Sequence, residues 1–164
     1  MENLSLIAAI GPNRELGYQN RLIWHIKEDL AFYKKMTMNK NIIMGRLTLD
    51  SMPKSALVGR KPIILTRTPI ESNESIKYFN YLEELLKMIK QSKEEYMVVG
   101  GFTIYKQFLP YVDTMYLTHI RDSIVYQADC YFPEFNKFDW NTETLKEGNN
   151  NNVSYQIKKY VRKK

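Results

Sequence analysis

YMVVGGFTIY, residues 96–105, is the stretch that decides the fold. A short apolar run (96–99) ends at paired glycines, and a helical pattern over 102–109 follows at once and stops before Pro110. A strand that is apolar on both faces is typical of a parallel sheet covered by helices. The paired glycines leave backbone N–H groups open to a ligand where the helix begins.

The same alternation of strand and helix extends in both directions from this stretch. The patterns predict strands at 4–10, 41–44, 62–66 and 75–79, and helices at 27–38, 48–52 and 81–92, with 14–25 irregular. Strands at 114–120 and 153–162 have no helical pattern between them, and residues 148–152 form a polar turn or loop. The sequence therefore predicts one α/β domain over 1–164: a doubly wound, mostly parallel central sheet with helices on both faces and an antiparallel C-terminal edge strand.

The composition excludes several classes of protein. With 44% hydrophobic and 26% charged residues in a chain of 164, a single packed core is expected and disorder is not. No apolar run approaches the ~20 residues of a membrane span, so we expect no membrane partner. The acid at position 2 argues against a signal peptide, and Cys130 has no second cysteine to pair with. We expect a cytoplasmic protein.

The net charge of +6 is concentrated at one end. Residues 158–164, KKYVRKK, hold five bases and no acid, so the rest of the chain is nearly neutral. A small basic nucleic-acid-binding module is the alternative of a different class, and it would depend on this tail. We instead expect a solvated tail on an edge strand and no nucleic-acid partner.

The residues that follow three of the predicted strands are suited to binding anions. Gly45-Arg46-Leu47-Thr48, Thr66-Arg67 and Gly100-Gly101-Phe102-Thr103 stand where ligands of open α/β sheets bind. Any one of these could be an ordinary loop, whereas the three together indicate a phosphate site. The glycine fingerprint of Rossmann domains and the Walker motif are both absent. His25, His119 and Cys130 lack the spacing of metal ligands, so no metal is expected.

Two neighbouring acids begin the first helix, directly after an aromatic residue. Glu28 and Asp29 follow Trp24. Acids in a first turn usually do no more than interact favourably with the helix dipole. Periodicity does not choose between them. A carboxylate among aromatic residues would be desolvated, and could hold an amidine-like ligand or take part in proton transfer.

Five blocks of sequence, in this order, carry a resemblance to a known family. They are LSLIAAIGPNRELGYQNRLIWHIKEDLAFYKK, NIIMGRLTLDSM, GRKPIILTRT, YMVVGGFTIYKQFLP and YLTHI. Together they resemble dihydrofolate reductase of the bacterial chromosomal type. The resemblance implies NADPH-dependent reduction of 7,8-dihydrofolate to 5,6,7,8-tetrahydrofolate, with hydride transfer to C6 and protonation at N5. Another NADPH-dependent pteridine or pyrimidine reductase on this fold, and a nucleotide-binding domain without catalysis, are the alternatives.

The resemblance assigns roles around the pterin. Asp29 would be the carboxylate that grips the pterin, Thr118 the hydroxyl bonded to it, and Trp24 the anchor of an ordered water. Residues 11–25 would be a mobile loop that closes over the nicotinamide, with Leu22 at its tip. Arg60 would fork onto the substrate's α-carboxylate. The rest of the substrate pocket would be lined by Ile7, Ala8, Leu30, Tyr33, Met52, Leu57 and Val99.

The resemblance also assigns residues to NADPH, in three groups. Beside the nicotinamide would lie Ala9, Leu16, Gly17 and Asn20. Around the pyrophosphate would lie Gly45, Arg46, Leu47, Thr48, Gly100, Gly101, Phe102, Thr103, Ile104 and Tyr105, with the Gly100–Gly101 peptide bond cis. At the 2′-phosphate would lie Arg46, Thr66 and Arg67, which favours NADPH over NADH.

Three features depart from the family's pattern. Ile23 stands where the family often has proline, and Tyr33 stands where phenylalanine is usual and adds a hydroxyl near the benzoyl ring. Residues 53–58 form a segment one residue longer than in close bacterial relatives, which bears on Met52 and Leu57. The resemblance further implies a monomer that binds antifolate inhibitors.

Overall fold

The structure is a computed structural model that describes residues 1–18, 21–123, 127–150 and 152–164, without the side chains at 18, 21, 22 and 150. Four helices are described: α1 (Lys27–Thr37), α2 (Arg46–Ser51), α3 (Leu82–Gln91) and α4 (Phe102–Phe108). Two 3-10 turns cover Lys54–Leu57 and Lys137–Asp139. The strands are β1 (Leu4–Ile10), β2 (Glu15–Tyr18), β3 (Arg21–Leu22), β4 (Asn41–Gly45), β5 (Lys61–Leu65), β6 (Lys77–Phe79), β7 (Tyr96–Gly100), β8 (Thr114–Asp122), β9 (Cys130–Tyr131), β10 (Trp140–Asn150) and β11 (Val153–Arg162).

The central sheet has the order β10-β11-β8-β1-β7-β4-β5-β6. All neighbouring pairs from β8 to β6 are parallel, and β11 runs antiparallel to β8. This confirms the predicted mostly parallel sheet with an antiparallel addition. The carboxyl ends of β1, β4, β5 and β7 therefore meet along one edge, where the predicted ligand residues stand.

Apolar residues alternate between the two faces of the sheet, and each face is covered. On one face Ile7, Met44 and Val99 pack with residues of α1 such as Phe32 and Met36. On the other, buried residues of β1, β4 and β7 pack with those of α3 and α4: Leu6, Ile43, Val98, Leu85, Ile89 and Phe108. The core thus fixes α1 on one side of β1 and α4 on the other.

β10 was not predicted, and it makes β11 the second strand rather than the edge. β10 pairs antiparallel with β11 from Trp140↔Arg162 to Asn150↔Val153. From residue 141 to 147 its side chains are exposed, so no hydrophobic alternation marks it as a strand. The predicted loop at 148–152 is correspondingly shorter, since Gly148 and Asn149 lie in the strand.

The expectation of an irregular segment at 14–25 is wrong in part. β2 pairs with β3 and with β9, forming a small second sheet with Gly17 opposite both Leu22 and Cys130. β9 lies more than a hundred residues away in sequence, so local patterns do not reveal the pairing. β2, within the stretch predicted as irregular, is therefore bound to a distant part of the chain by strand pairing.

The strand predicted at 153–162 is confirmed, but it is an inner strand, and its basic C-terminal run is not a fully solvated tail. Residues 158–162 belong to β11. The Arg162 guanidinium donates to the carbonyls of Val112 (3.1 Å) and Leu109 (2.6 Å) and lies 4.2 Å from the centre of the Trp140 ring. Within the ranges described, no helix is long and apolar enough to cross a membrane.

Candidate active site

The ends of β4 and β7 approach each other closely because three glycines leave room. A Cβ atom added to Gly101 would lie 3.4 Å from Thr48 Oγ1, and one on Gly45 would lie 3.2 Å from Ile104 Cγ1. Gly100 has φ +129°, a backbone conformation that only glycine adopts readily. The Gly100–Gly101 peptide bond is cis, as the resemblance implies. The starts of α2 and α4 are thereby brought together.

The predicted starts of these two helices differ in accuracy. α4 begins at Phe102 as predicted, whereas α2 begins at Arg46, two residues before the predicted start. Phe102, Thr103, Arg46 and Leu47 are exposed there, while Ile104 is buried in the core. Ile104 therefore supports the site through packing.

Asp29 stands in the first turn of α1 and receives a hydrogen bond from β8. The Thr118 hydroxyl donates to Asp29 Oδ1 at 2.5 Å, and Thr118 is 2% exposed. Burial raises the pKa of Asp29, and the Thr118 hydrogen bond opposes that rise. No other hydrogen bond or ion pair to Asp29 occurs among the described residues, so the carboxylate is held in place and left available to a ligand.

Glu28, the other first-turn acid, is placed differently. Its Oε2 atom is buried and has no hydrogen-bond partner in the part of the chain described. Thr118 thus distinguishes Asp29 from Glu28, which periodicity alone does not do.

Trp24 contacts a carboxylate that sequence reasoning missed. Its indole N–H donates to Asp122 Oδ2 at 3.2 Å, so the ring is tied to the end of β8. A Cβ atom on Gly11 would lie 2.5 Å from Trp24 Cη2, so the loop backbone packs directly on the ring. A water role for Trp24 stays a prediction, and the described partner is Asp122.

The predicted substrate pocket is mostly assembled on the α1 face of the sheet. Ile7, Val99, Tyr33, Met52 and Leu57 belong to one apolar cluster there. Ala8 differs from these residues: strand alternation turns its side chain to the opposite core, with Leu6 and Ile10, and its place at the pocket stays a prediction. Leu30 is 44% exposed and lies beside Asp29 on α1.

Tyr33 brings a hydroxyl group into this apolar cluster. Its oxygen is buried and finds no hydrogen-bond partner among described residues. Burial raises the pKa of Tyr33, and the nearby Arg60 charge lowers it. The departure noted in the sequence is therefore a buried polar group that a ligand could satisfy.

Arg60 is oriented by neighbours that carry no charge. Its Nε donates to Thr37 Oγ1 (3.0 Å) and one terminal nitrogen donates to the Val58 carbonyl (2.9 Å). Thr37 in turn donates to the Tyr33 carbonyl at 2.8 Å. Since Arg60 makes no ion pair within the described ranges, its charge remains available for an acidic ligand.

The residues predicted at the 2′-phosphate, Arg46, Thr66 and Arg67, lie at the ends of β4 and β5. Arg46 donates to Thr68 Oγ1 at 3.2 Å and lies 3.9 Å from Asp50 Oδ2. Arg67 is exposed, and no described residue pairs with it. The turn that carries Thr66 and Arg67 is bonded to Asn80, which sequence reasoning missed. Because Thr68 and Asn80 follow strand ends, their positions were a usable signal.

Beside β1, the predicted nicotinamide residues are partly described. Gly17 is buried, Ala9 and Leu16 are half-buried, and Leu22 enters the structure only through its backbone in β3. Asn20 lies outside the described residues. Tyr105, predicted at the cofactor, donates its hydroxyl to the carbonyls of Ile7 (2.7 Å) and Val99 (2.9 Å), tying β1 to β7. Burial raises the pKa of Tyr105 far above its ordinary range.

The described residues include no group of three or more acids, histidines or cysteines that could hold a metal ion. What the site does contain is a buried carboxylate, an apolar pocket with an arginine at its side, and strand ends rich in glycine and arginine. These features suit a flat, polar ring system on one side and a phosphorylated ligand on the other.

Comparisons with known proteins agree with this arrangement. Residues 3–162 match the family model of dihydrofolate reductase. The chain is 40% identical over 161 residues to the dihydrofolate reductase of Buchnera aphidicola from Acyrthosiphon pisum, covering 94% of this chain and 98% of that protein. It is 34% identical over 163 residues to the Bacillus subtilis dihydrofolate reductase, covering 98% and 95%.

A solved structure gives the same answer at the level of the fold. The dihydrofolate reductase from Enterococcus faecalis, complexed with NADP(H) and RAB-propyl, superposes with a TM-score of 0.85 at 25% identity, covering 98% of this chain and 96% of that one. Family match, relatives and fold agree over nearly the whole chain, and the chain belongs to the dihydrofolate reductase family.

Proposed function

We propose that this protein reduces 7,8-dihydrofolate to 5,6,7,8-tetrahydrofolate with NADPH. The observation that carries the proposal is Asp29: a buried carboxylate, held by Thr118, beside an apolar pocket at the carboxyl ends of the parallel strands. Membership of the dihydrofolate reductase family supports the same reaction.

The strand ends fit NADPH. Gly45 and Gly101 let the starts of α2 and α4 come close together, and Arg46 and Arg67 are exposed cations at these strand ends. When bound, NADPH supplies the hydride for C6 of the pterin. Arg46, Thr66 and Arg67 would hold its 2′-phosphate, and Gly17 with Ala9 and Leu16 would flank the nicotinamide.

Asp29 acts on the pterin as a hydrogen-bond acceptor and through its charge. Its carboxylate accepts from the amino group and neighbouring ring nitrogen, which fixes the ring in the pocket. Burial raises the pKa of Asp29, so the carboxyl group holds a proton more readily than an exposed aspartate does. This favours protonation at N5 as the hydride arrives at C6.

The remaining residues align the substrate and exclude water. Ile7, Tyr33 and Val99 present an apolar surface to the rings, and Arg60 binds the α-carboxylate of the substrate's glutamate. Residues 11–25 close over the reacting rings, with Trp24 packed at the base of this loop. Holding two rings at contact distance supplies much of the rate through orientation.

The wider setting follows from the same reaction. We propose that the protein acts as a monomer in the cytoplasm, that residues 1–164 form one domain, and that antifolate inhibitors occupy the pterin pocket. No nucleic-acid or membrane partner is needed, because the arginines of the site are assigned to the cofactor and the substrate.

A direct assay tests the proposal. The protein is mixed with NADPH and dihydrofolate, and the near-ultraviolet absorbance of reduced nicotinamide is followed. Loss of absorbance that depends on both compounds is expected. Absence of turnover with dihydrofolate, or turnover only with a ribosylaminopyrimidine, would contradict it.

A further inference from the structure

Asn80 follows β6 at the edge of the sheet, and its side chain reaches back to the end of β5. The amide nitrogen donates to the carbonyl of Thr66 at 2.8 Å and to the carbonyl of Thr68 at 3.0 Å. An asparagine amide has two N–H groups, so one side chain satisfies both carbonyls. The backbone N–H of Thr66 also donates to the Phe79 carbonyl at 2.9 Å. The turn over residues 66–68 is therefore clamped from one side by residues 79 and 80.

This turn is connected to the arginine at the end of β4. Arg46 donates to Thr68 Oγ1 at 3.2 Å, and the Thr68 backbone N–H donates to Thr66 Oγ1 at the same distance. Arg67 lies between the two threonines. A continuous set of hydrogen bonds thus runs from Asn80 through the turn to Arg46, and it fixes the Arg46 side chain relative to the backbone that carries Arg67.

We propose that Asn80 is a positioning residue for recognition of the cofactor's 2′-phosphate, acting through the turn at 66–68 and Arg46. The inference rests on the proposed function, since it takes NADPH as the ligand. A phosphate is recognised by several donors at fixed separations, and exposed arginine side chains are flexible. Holding the turn reduces the conformational freedom that binding would otherwise remove.

The effect of Asn80 is specific to one end of the cofactor. NADH lacks the 2′-phosphate and shares every other part of NADPH. Adenosine 2′,5′-bisphosphate and adenosine 5′-phosphate differ in the same way and have no nicotinamide. Loss of the clamp therefore weakens the first member of each pair and leaves the second unchanged.

The chain provides a matched control in the same loop between β5 and β6. The Asn73 side chain accepts from the backbone N–H groups of Ser75 (2.8 Å) and Ile76 (2.9 Å), and its described partners do not include Arg46, Thr66, Thr68 or Asn80. Asn73→Ala thus removes a comparable pair of side-chain hydrogen bonds to backbone. This variant separates the effect of loosening the β5–β6 loop in general from the effect of loosening the turn at 66–68.

Dissociation constants of NADPH and NADH are measured by quenching of tryptophan fluorescence. Three full-length proteins are compared: the wild type, Asn80→Ala and Asn73→Ala. Competition by the two adenosine phosphates is measured in parallel. We expect Asn80→Ala to lower the preference for NADPH over NADH about tenfold, through NADPH alone. Asn73→Ala keeps the wild-type preference. Unchanged NADH binding shows that the variant is folded.

Two results would overturn the inference: equal losses for NADPH and NADH in Asn80→Ala, or the same change in preference in Asn73→Ala. Failure of the proposed function looks different, because the wild type would then show no preference for NADPH or no turnover of dihydrofolate. A Thr68→Val variant adds a further check. Since it interrupts the same set of hydrogen bonds, its effect on the preference should not add to that of Asn80→Ala.

Discussion

At the scale of single residues, the site depends on a carboxylate in an unfavourable place. Asp29 is largely buried, it makes no ion pair with any described residue, and Thr118 is its hydrogen-bond partner. A group held this way lowers stability at neutral pH, because its charged form has lost solvation that one hydroxyl does not replace. Function and stability therefore oppose each other at this position.

Asp29→Asn separates the two effects. We expect activity at pH 7 to fall at least about a hundredfold, since the amide neither takes up a proton nor carries a charge. We expect the melting temperature at pH 7 to rise by roughly 2–4 °C, the shift that about 1 kcal/mol produces in a domain of this size. Steady-state kinetics and thermal unfolding measure the two changes.

The sign of the stability change follows from the raised pKa. The folded protein holds the Asp29 proton more tightly than the unfolded chain, so the stability lost at neutral pH is recovered as pH falls through the raised pKa toward 3.8. The advantage of Asp29→Asn should shrink over that range. Glu28→Gln is the matched control and keeps activity. Normal turnover by Asp29→Asn at pH 7 would refute the assignment.

The hydrogen bond between Trp24 and Asp122 is the second residue-scale feature. Asp122→Ala removes this acceptor and weakens the attachment of the indole to the end of β8, so kcat/KM is expected to fall about tenfold. Asp122→Asn keeps an acceptor oxygen and should stay within about threefold of wild type. Stopped-flow turnover and Trp24 fluorescence report the change. Equal losses in both variants would mean that charge, and not this bond, is responsible.

Some of these residues were predictable and others were not. Asp29, Thr118 and Arg60 were assigned through a resemblance that spans the chain, and the hydrogen bonds to Asp29 and around Arg60 agree with those roles. Asp122 was missed because its hydrogen bond to Trp24, 98 positions away, leaves no local pattern. Asn80 was missed although it directly follows a strand end. The resemblance carries a position and not the direction of a side chain, so it did not predict that the Ala8 side chain packs on the opposite face of the sheet.

At the scale of elements, short strands were the weak point of sequence reasoning. β1, β4, β5 and β7 are solidly apolar, and their predicted bounds agree to within a residue. β2, β3, β9 and β10 depend on partners distant in sequence or face solvent, so tertiary pairing decides them. The strands that carry the candidate site are therefore better predicted than the edges of the fold, because they are the apolar ones.

Pairing of β2 with β9 brings Cys130 to the proposed cofactor site. Cys130 lies opposite Gly17, and burial raises the pKa of its thiol while the backbone N–H of Phe102 at the start of α4 lowers it. This thiol therefore stands between the nicotinamide and pyrophosphate residues.

Alkylation of Cys130 measures whether the cofactor covers that junction. With NADPH at ten times its dissociation constant, we expect iodoacetamide to react about tenfold more slowly, as followed by mass spectrometry. Dihydrofolate alone should leave the rate unchanged, since the pterin pocket lies on the α1 face. An equal rate with and without NADPH would move the cofactor away from β9.

At the scale of the whole molecule, the excess of positive charge has a structural use. β11 carries most of the basic C-terminal residues and lies between β8 and β10. Its last residue, Arg162, ties the loop after α4 to Trp140. Charge alone suggested a solvated tail, yet the strand is needed to cover β8, which carries Thr118.

β8 and β11 also share a histidine whose titration the fold suppresses. His119 Nε2 lies 2.7 Å from the Tyr160 hydroxyl. Burial lowers the pKa of His119 to about 4, assisted by the positive charges of Lys158, Lys137 and Arg121. The folded protein therefore keeps His119 neutral at a pH where the unfolded chain would protonate it.

The stability of the molecule should follow this difference in proton binding. Between pH 6.5 and about 4 the unfolded chain takes up a proton that the folded protein refuses, so the free energy of unfolding falls as pH falls through this window. The decline stays below about 1.4 kcal/mol per pH unit, since the half-exposed ring is partly screened by solvent.

Urea unfolding at pH 4.5, 5.5, 6.5 and 7.5 compares wild type with His119→Gln, which should show a shallower decline. His25→Gln is the control for the loss of a histidine as such, because His25 is exposed and lies outside β8 and β11. Parallel curves for His119→Gln and wild type would place the acid sensitivity elsewhere, and the β8–β11 pair would then have no part in it.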